Sequence, residues 1–148
     1  MKLLKRFLKE LNSGYKPHNV MMINNKSFHL STDIKEKLGN KTELVYAGQY
    51  LGKDKRRFKP SLILLQSLTD EKATRKISVD RESAWLFVCG NDLFEERLKP
   101  IDGELRLGEN YLIVLEGRCI GYGRFESSAG IRVMRNLFDI GDFLRREQ

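Results

Sequence analysis

The apolar residues of this chain fall into short runs that are separated by turn-forming residues. Residues 62–65 and 111–115 are typical runs of this kind, whereas a helix that spans a bilayer needs about 20 apolar residues. We therefore expect short strands and helices around a small core, and no transmembrane helix. The chain has 148 residues, of which 41% are hydrophobic and 32% charged. This composition is typical of a folded globular protein with one compact domain or two small ones, and we favour two.

The N-terminus and the cysteines bear on the cellular compartment. Basic and apolar residues are mixed in the first ten positions, which is not the pattern of a secretory signal. Cys89 and Cys119 each lie in an apolar, strand-like segment, where a cysteine behaves as a small hydrophobic residue. We therefore expect two buried thiols and neither a disulfide nor a metal site. This expectation favours a reducing, cytoplasmic environment.

The charge is distributed unevenly along the chain. The net charge is +7, yet residues 1–72 hold 15 Lys and Arg against 7 Asp and Glu, whereas residues 73–148 hold 12 against 13. Lysine dominates the first set of cations and arginine the second. A lysine is a mobile point charge, while a guanidinium can also stack on bases and grip a phosphate with two hydrogen bonds. The pattern predicts a polyanionic partner. The lysines of the first half would attract it, and the arginines of the second half would make the directional contacts with it.

The N-terminal half, residues 1–72, reads as a mixture of helices and strands. Apolar residues at helical spacing, with Lys and Arg between them, predict an amphipathic helix over residues 1–12. Asn24-Asn25 predicts a tight turn between strands 20–23 and 27–30. A capping-box-like pattern begins a short helix at Asp33 that ends at Gly39. A strand over residues 44–51 and a helix that Pro60 opens and that ends near residue 70 complete this half.

The C-terminal half, residues 73–148, begins after a polar stretch at residues 69–74 and is rich in strands. We predict strands at 77–79, 84–89, 111–115, 118–125 and 131–137, which together indicate a small barrel. Glu116-Gly117 is a probable hairpin turn, and Trp85 is expected in the core because its neighbours alternate as sheet residues do. Asp139 is expected to cap a final helix through Phe143 and Leu144.

Two groups of cations are candidate RNA-binding residues. The first is the basic segment 53–59, whose cations are predicted to follow a phosphate backbone while the Phe58 ring offers a stacking surface. A solvated charge run is the competing interpretation. The cations of this segment are Lys53, Lys55, Arg56, Arg57 and Lys59.

The second group lies in the strands of the C-terminal half and consists of Arg124, Arg132 and Arg135, with Arg118 nearby. Strand alternation places Arg132 and Arg135 on opposite faces unless a bulge intervenes. A binding surface and a merely charged surface are equally compatible with this pattern.

No constellation for catalysis is found in the sequence. His18 and His29 have no further ligand at metal-binding spacing, and no serine lies in a nucleophile elbow. Glu95 and Glu96 are adjacent and diverge, unlike a catalytic carboxylate pair. Gly121-Tyr-Gly123 opens no helix and is interpreted as a glycine pair that allows close strand packing. We therefore expect no enzymatic activity, cofactor or metal.

Several segments taken in order resemble the Nip-seven family of ribosome biogenesis factors. They are Leu-Val-Tyr-Ala-Gly-Gln from residue 44, Gly52-Lys with Phe58, Trp-Leu-Phe-Val-Cys-Gly-Asn from residue 85, Ile-Gly-Tyr-Gly from residue 120 and Asp-Ile-Gly-Asp-Phe-Leu-Arg from residue 139. The last of these is the most specific, and the resemblance covers roughly the last two thirds of the chain. The family occurs in archaea and eukaryotes.

The resemblance implies an α+β protein of two domains. Residues 1–72 would form an α/β pre-PUA domain with an antiparallel sheet, and residues 73–148 a PUA pseudobarrel that contacts single-stranded, uridine-rich RNA. It implies a role in large-subunit assembly and pre-rRNA processing, other assembly factors as partners, a monomer, and a nucleolar location in a eukaryote. Arg132 and Arg135, with Arg124 nearby, fit the basic positions that archaeal relatives carry on the last PUA strand.

Two other function classes remain open. The first is a protein-protein adaptor in ribosome assembly with incidental RNA contact. The second is an enzyme or enzyme subunit, since PUA domains often accompany RNA-modifying domains, although two domains already fill the 148 residues and fold association is only a prior.

Overall fold

The computed structural model describes residues 2–16, 19–30, 49–101, 103–142 and 145. Among these residues, two β-sheets and the three α-helices named below form an α+β fold, as predicted. The elements of the N-terminal half are α1 Lys2–Glu10, β1 Val20–Ile23, β2 Lys26–His29, β3 Gln49–Asp54, β4 Phe58–Pro60 and α2 Leu62–Thr69. Those of the C-terminal half are β5 Lys76–Ser78, α3 Arg81–Val88, β6 Leu93–Phe94, a 3₁₀ turn Glu95–Arg97, β7 Lys99–Pro100, β8 Asn110–Leu115, β9 Arg118–Ser128 and β10 Ile131–Asp139.

The first sheet has the order β1-β2-β3-β4, and all its neighbouring strands are antiparallel. Asn24 and Asn25 connect β1 to β2 with φ of 49° and 67°, the left-handed geometry that a tight hairpin needs. The predicted turn is therefore confirmed. The expected helix from Asp33 to Gly39 and most of the expected strand 44–51 lie outside the described residues.

The two helices of the N-terminal half bury apolar faces. α1 confirms the predicted amphipathic helix, with Leu4, Phe7 and Leu8 buried. α2 begins at Leu62, two residues later than predicted, because Pro60 ends β4 and Ser61 is the N-cap, whose hydroxyl accepts a hydrogen bond from the Leu64 N–H at 3.1 Å. A serine N-cap satisfies one of the free amides of the first helical turn.

The second sheet has the order β6-β10-β9-β8-β5-β7, and it curls into a half-barrel. β5 runs parallel to β8 while the other pairs are antiparallel. Glu116 and Gly117, at φ of 49° and 81°, form the predicted hairpin between β8 and β9. The glycine pair also has the predicted role, because a Cβ on Gly121 would lie 2.1 Å from the Phe138 carbonyl oxygen and one on Gly123 2.5 Å from that of Arg135.

The segment around Trp85 differs from the prediction: residues 81–88 form helix α3 and not a strand. The Asp80 carboxylate caps it by accepting a hydrogen bond from the Ser83 N–H at 2.7 Å. Ala84 and Phe87, three residues apart, are its buried apolar residues, whereas Trp85 is 68% exposed. Cap chemistry and helical spacing thus outweigh the apolar character of the run. Cys89 follows the helix and is exposed, while Cys119 is buried as predicted.

The expectation for Asp139 also needs correction. Asp139 ends β10 opposite Gly121, and its buried carboxylate pairs with the Arg145 guanidinium at 2.8 Å. The predicted final helix is present, since Asp142 and Arg145 are helical and the Arg145 N–H donates to the Gly141 carbonyl at 3.1 Å, but it begins after Asp139 and Asp139 does not cap it. Phe143 and Leu144 lie outside the described residues.

One hydrophobic cluster joins the two halves of the chain. It contains Leu4, Phe7, Leu8, Leu11, Leu51, Phe58, Leu64, Leu65 and Leu68 from the N-terminal half, with Leu112, Val114, Cys119 and Tyr122 from the C-terminal half. A second cluster fills the half-barrel, centred on Phe87, Ile113, Phe125 and Met134. The opposite faces of β8 and β9 therefore serve two cores, and α1 is held against the face that carries Tyr122.

Candidate nucleic-acid interface

Four arginines meet in a cleft of about 280 Å³ where α1, the β3–β4 turn and β9 come together. We call this the arginine cleft; its cations are Arg6, Arg56, Arg57 and Arg124. Of the described residues that line it, Glu10 is the one with a carboxylate. Four guanidinium groups against one carboxylate give the cleft a positive field that attracts anions.

A chain of hydrogen bonds positions Arg124 in the arginine cleft. The Arg124 Nε donates to Asn110 Oδ1 at 3.0 Å, and Asn110 Nδ2 donates to Glu10 Oε2 at 3.3 Å. The other oxygen of Glu10 accepts from Arg6 Nε at 3.2 Å. Asn110 is only 2% exposed, so its side chain is held in place and restricts the position of Arg124. The hydrogen bond uses the Nε–H of Arg124, and the two terminal amino groups of the guanidinium are not part of it. α1 and β9 are thereby joined through polar contacts as well as apolar ones.

Aromatic rings form the floor of the arginine cleft. Phe7 packs edge-on against Tyr122, with ring centroids 5.1 Å apart, and lies 5.4 Å from Phe58. Burial raises the pKa of the Tyr122 phenol to about 12, although the nearby Arg57 and Arg124 act in the opposite direction. The low-dielectric floor strengthens electrostatic interactions above it.

The exposed turn within the basic segment 53–59 is shorter than predicted. Lys53 lies in β3 and Lys59 in β4, where they are directly opposite each other, and only residues 55–57 form the turn. Phe58 is 3% exposed, so the expectation that its ring offers a stacking surface was wrong. It is part of the core that joins the halves.

A second hollow of about 640 Å³ continues from the arginine cleft along β10. Lys55 and Lys59 lie along it, together with Arg56 and Arg57, which line both cavities. Lys59 Nζ is 3.3 Å from the Asp142 carboxylate and 5.8 Å from the centre of the Phe138 ring. The two hollows form one groove that has cations from both halves of the chain.

The arginines of β10 lie on opposite faces, as predicted. Arg135 is directly opposite Arg124 on the neighbouring strand, so it extends the row of cations beyond the arginine cleft; its Nη1 is 3.8 Å from a Glu126 oxygen. Arg132 lies on the other face, 3.2 Å from Glu95 and over the ring of Phe125. The structure thus brings Arg56, Arg57 and Arg124 together, places Arg135 beside them and separates Arg132 from them.

Sequence reasoning missed three residues of the arginine cleft: Arg6, Glu10 and Asn110. The polar face of α1 was recognised, so Arg6 could have been added as a candidate cation. Asn110 begins an apolar strand and gives no signal without its long-range partners.

The described residues contain no group of three His, Cys, Asp or Glu side chains arranged to hold a metal ion. Over the same residues, no helix has the length and the apolar surface needed to cross a bilayer.

Comparison with known proteins identifies the second sheet. A family model described as the UPF0113 PUA domain matches residues 75–148, which is half of the chain. The chain belongs to the UPF0113 PUA domain family. The half-barrel of the C-terminal half is therefore a PUA-type pseudobarrel, as expected, and PUA domains in general bind RNA.

Solved structures with this fold include a conserved PUA domain protein from Thermoplasma acidophilum. It has a TM-score of 0.53 and 19% identity, over 98% of this chain and 94% of that chain. A hypothetical protein from Pyrococcus horikoshii OT3 aligns with a TM-score of 0.44 and 19% identity, over 84% of this chain and 77% of that chain. No curated protein matches the sequence. In this PUA domain protein, the arginine cleft lies where the family domain meets the N-terminal half.

Proposed function

We propose that this PUA domain protein is a non-enzymatic factor that binds single-stranded, uridine-rich RNA during large ribosomal subunit assembly and pre-rRNA processing. The observation that carries the proposal is the convergence of Arg6, Arg56, Arg57 and Arg124 in one cleft. Guanidinium groups grip phosphates with paired hydrogen bonds. The uridine preference and the role in ribosome assembly rest on the resemblance to the Nip-seven family.

The mechanism is the holding of an RNA segment. Arg124, fixed by Asn110, supplies a preorganised phosphate contact, and Arg56 and Arg57 on the exposed turn close around the backbone. Lys55 and Lys59 add attraction along the second hollow, and Lys53, opposite Lys59 on the neighbouring strand, adds to the positive charge nearby. Binding to an already ordered arginine costs less side-chain entropy than binding to a mobile one, so Arg124 is the main anchor of the interface.

Fluorescence anisotropy with a labelled uridine-rich strand and a matched duplex tests this function. We expect the single strand to bind more tightly, and Arg57→Ala combined with Arg124→Ala to weaken it by at least tenfold. Arg81→Ala is the matched control, because this exposed arginine lies on α3, pairs with Glu116 and lines neither hollow. The Arg81→Ala variant should bind the single strand as tightly as the wild type does. Arg132→Ala should have a smaller effect than Arg124→Ala. Absence of binding by the wild type would contradict the proposal.

A second function, a protein-protein adaptor in ribosome assembly, is favoured by one specific observation. Leu62 and Ile63 of α2 are 54% and 51% exposed, and with Ile140 they line an apolar groove. Exposed apolar grooves are typical of protein interfaces. The adaptor predicts that one protein is retrieved from lysate after nuclease treatment and lost on Leu62→Asp, whereas the RNA-binding function predicts that Leu62→Asp leaves the RNA affinity unchanged.

A further inference from the structure

Phe94 is an exposed aromatic residue on a strand of the PUA half. β6 pairs with β10 so that Leu93 is opposite Met134 and Phe94 is opposite Val133. Leu93 and Met134 are 1% and 0% exposed and fill the half-barrel, whereas Phe94 is 56% exposed. Since side chains alternate along a strand, Phe94 and Val133 lie on the face turned away from that core.

The same face carries two arginines. Arg135 follows Val133 by two positions and so lies on the same side of β10, and it is directly opposite Arg124 of β9. Strand spacing and rise put the backbone of Phe94 roughly 12 Å from that of Arg124. We call this set of residues the Phe94 strip: Phe94, Val133, Arg135 and Arg124. It leads from an aromatic ring at the sheet edge to the arginine cleft.

The charges along the Phe94 strip favour phosphate contact at one end and base contact at the other. Phe94, Val133 and Glu126 lie side by side across three neighbouring strands. The Glu126 carboxylate repels a phosphate from this row. The phosphates of a bound strand are therefore attracted to the row of Arg135 and Arg124. Phe94 and Val133 offer an apolar surface where a base can lie, and base stacking on an aromatic ring is tolerant of sequence.

We propose that the Phe94 strip binds an unpaired nucleotide of single-stranded RNA, with its base stacked on Phe94 and its backbone continuing over Arg135 and Arg124 into the arginine cleft. This inference rests on the proposed RNA-binding function and adds a base-stacking residue that the cation pattern did not reveal. Because a paired base is not free to stack on a protein ring, the strip selects single strands over duplexes.

The test compares three variants of the full chain by anisotropy with the same uridine-rich strand. Phe94→Leu removes the ring, Phe94→Tyr keeps it, and Trp85→Leu removes an exposed ring from α3 as a matched control. We expect Phe94→Leu to weaken binding by about 5- to 150-fold, the range for loss of one stacked base. Phe94→Tyr and Trp85→Leu should stay within about twofold of the wild type. The salt dependence of Phe94→Leu should match that of the wild type, since no phosphate contact is lost.

The outcomes distinguish this inference from the function on which it rests. If Phe94→Leu binds like the wild type while Arg124→Ala is weakened, the stacking inference is wrong and the RNA-binding function stands. Equal losses in Phe94→Leu and Trp85→Leu would also overturn the inference. If the wild type binds no single strand, both fail. A strand with one 4-thiouridine provides a second readout on the unaltered protein: we expect a photo-cross-link at Phe94, and cross-links only elsewhere would contradict the assignment.

Discussion

Asn110 is the residue on which the order of the arginine cleft depends. It is buried, accepts a hydrogen bond from Arg124 and donates one to Glu10. The three residues belong to β8, β9 and α1, so one amide group links the PUA half to the first helix. A fixed Arg124 is what distinguishes this cleft from an ordinary cluster of mobile surface cations.

Replacement of Asn110 by alanine leaves both partners without their buried contact. We expect Asn110→Ala to lower the free energy of unfolding by about 1–3 kcal/mol, the usual cost of unsatisfied buried polar groups. Denaturant titration measures this loss, with the exposed Asn91→Ala as a control of smaller effect. We also expect weaker RNA binding from Asn110→Ala even where the protein is fully folded. Unchanged stability and unchanged affinity would show that the Asn110 bridge does not order Arg124.

Tyr122 gives the cleft floor a pH-dependent contribution to stability. Burial raises the pKa of its phenol from 10.0 to about 12, so the neutral form is favoured in the folded state. The stability from this shift is fully present below pH 10 and is lost as the pH rises through about 12. We expect unfolding free energies to fall by up to roughly 3 kcal/mol over this window through Tyr122. Tyr122→Phe should flatten the decline; an equally steep decline would contradict a buried, neutral Tyr122.

At the scale of elements, β9 depends on the close approach of β10 at Gly121. The φ of Gly121 is +152°, and a Cβ on this residue would lie 2.1 Å from the Phe138 carbonyl oxygen. Gly130, in the β9–β10 turn, has a φ of +80° with nothing within 4 Å of the Cβ position. A substitution at Gly121 therefore adds both backbone strain and steric overlap, whereas one at Gly130 adds backbone strain alone.

We expect Gly121→Ala to destabilise the protein by about 3–5 kcal/mol, because strain and overpacking add. Gly130→Ala should cost only about 1–2 kcal/mol, since strain acts alone. Thermal or denaturant unfolding of both variants measures the difference. A similar cost at the two positions would mean that β10 can move away from β9 without penalty.

The sequence predicted the elements that depend on a single local feature, such as a pair of turn-forming residues. It did not predict the elements for which two local features favour different structures. Asn24-Asn25 and Gly117 favour their hairpins because Asn and Gly adopt the left-handed backbone geometry of tight turns more readily than other residues do. The segment around Trp85 carries apolar residues suited to a strand, and the Asp80 cap decides for a helix. Phe58 looked like part of a solvated loop because its burial under Phe7 and Tyr122 is a tertiary contact.

The candidate site was predictable only in part, for a related reason. The charge pattern alone identified Arg56, Arg57 and Arg124 as candidates. Their meeting with Arg6 requires α1 to pack on the face of β9 that carries Tyr122, which no local pattern encodes. Strand alternation did predict that Arg132 and Arg135 would diverge, and the described geometry agrees.

At the scale of the whole molecule, the arginine cleft is shared between the two halves of the chain. Arg6, Arg56 and Arg57 come from the N-terminal half and Arg124 from the PUA half, and one hydrophobic cluster holds the halves together beneath them. The boundary expected near residues 69–74 stays a prediction. RNA bound in the arginine cleft would contact both halves at once.

The claim that both halves form one RNA-binding surface is tested most directly by the salt dependence of binding. Affinity for a uridine-rich single strand is measured across a salt series for the wild type, Arg57→Ala, Arg124→Ala and the double variant. We predict that each single variant makes the log-log slope less steep by about 0.7, one single-strand phosphate contact, and that the double variant loses about twice as much. A wild-type slope near zero, or a slope that only one of the two arginines changes, would contradict the claim.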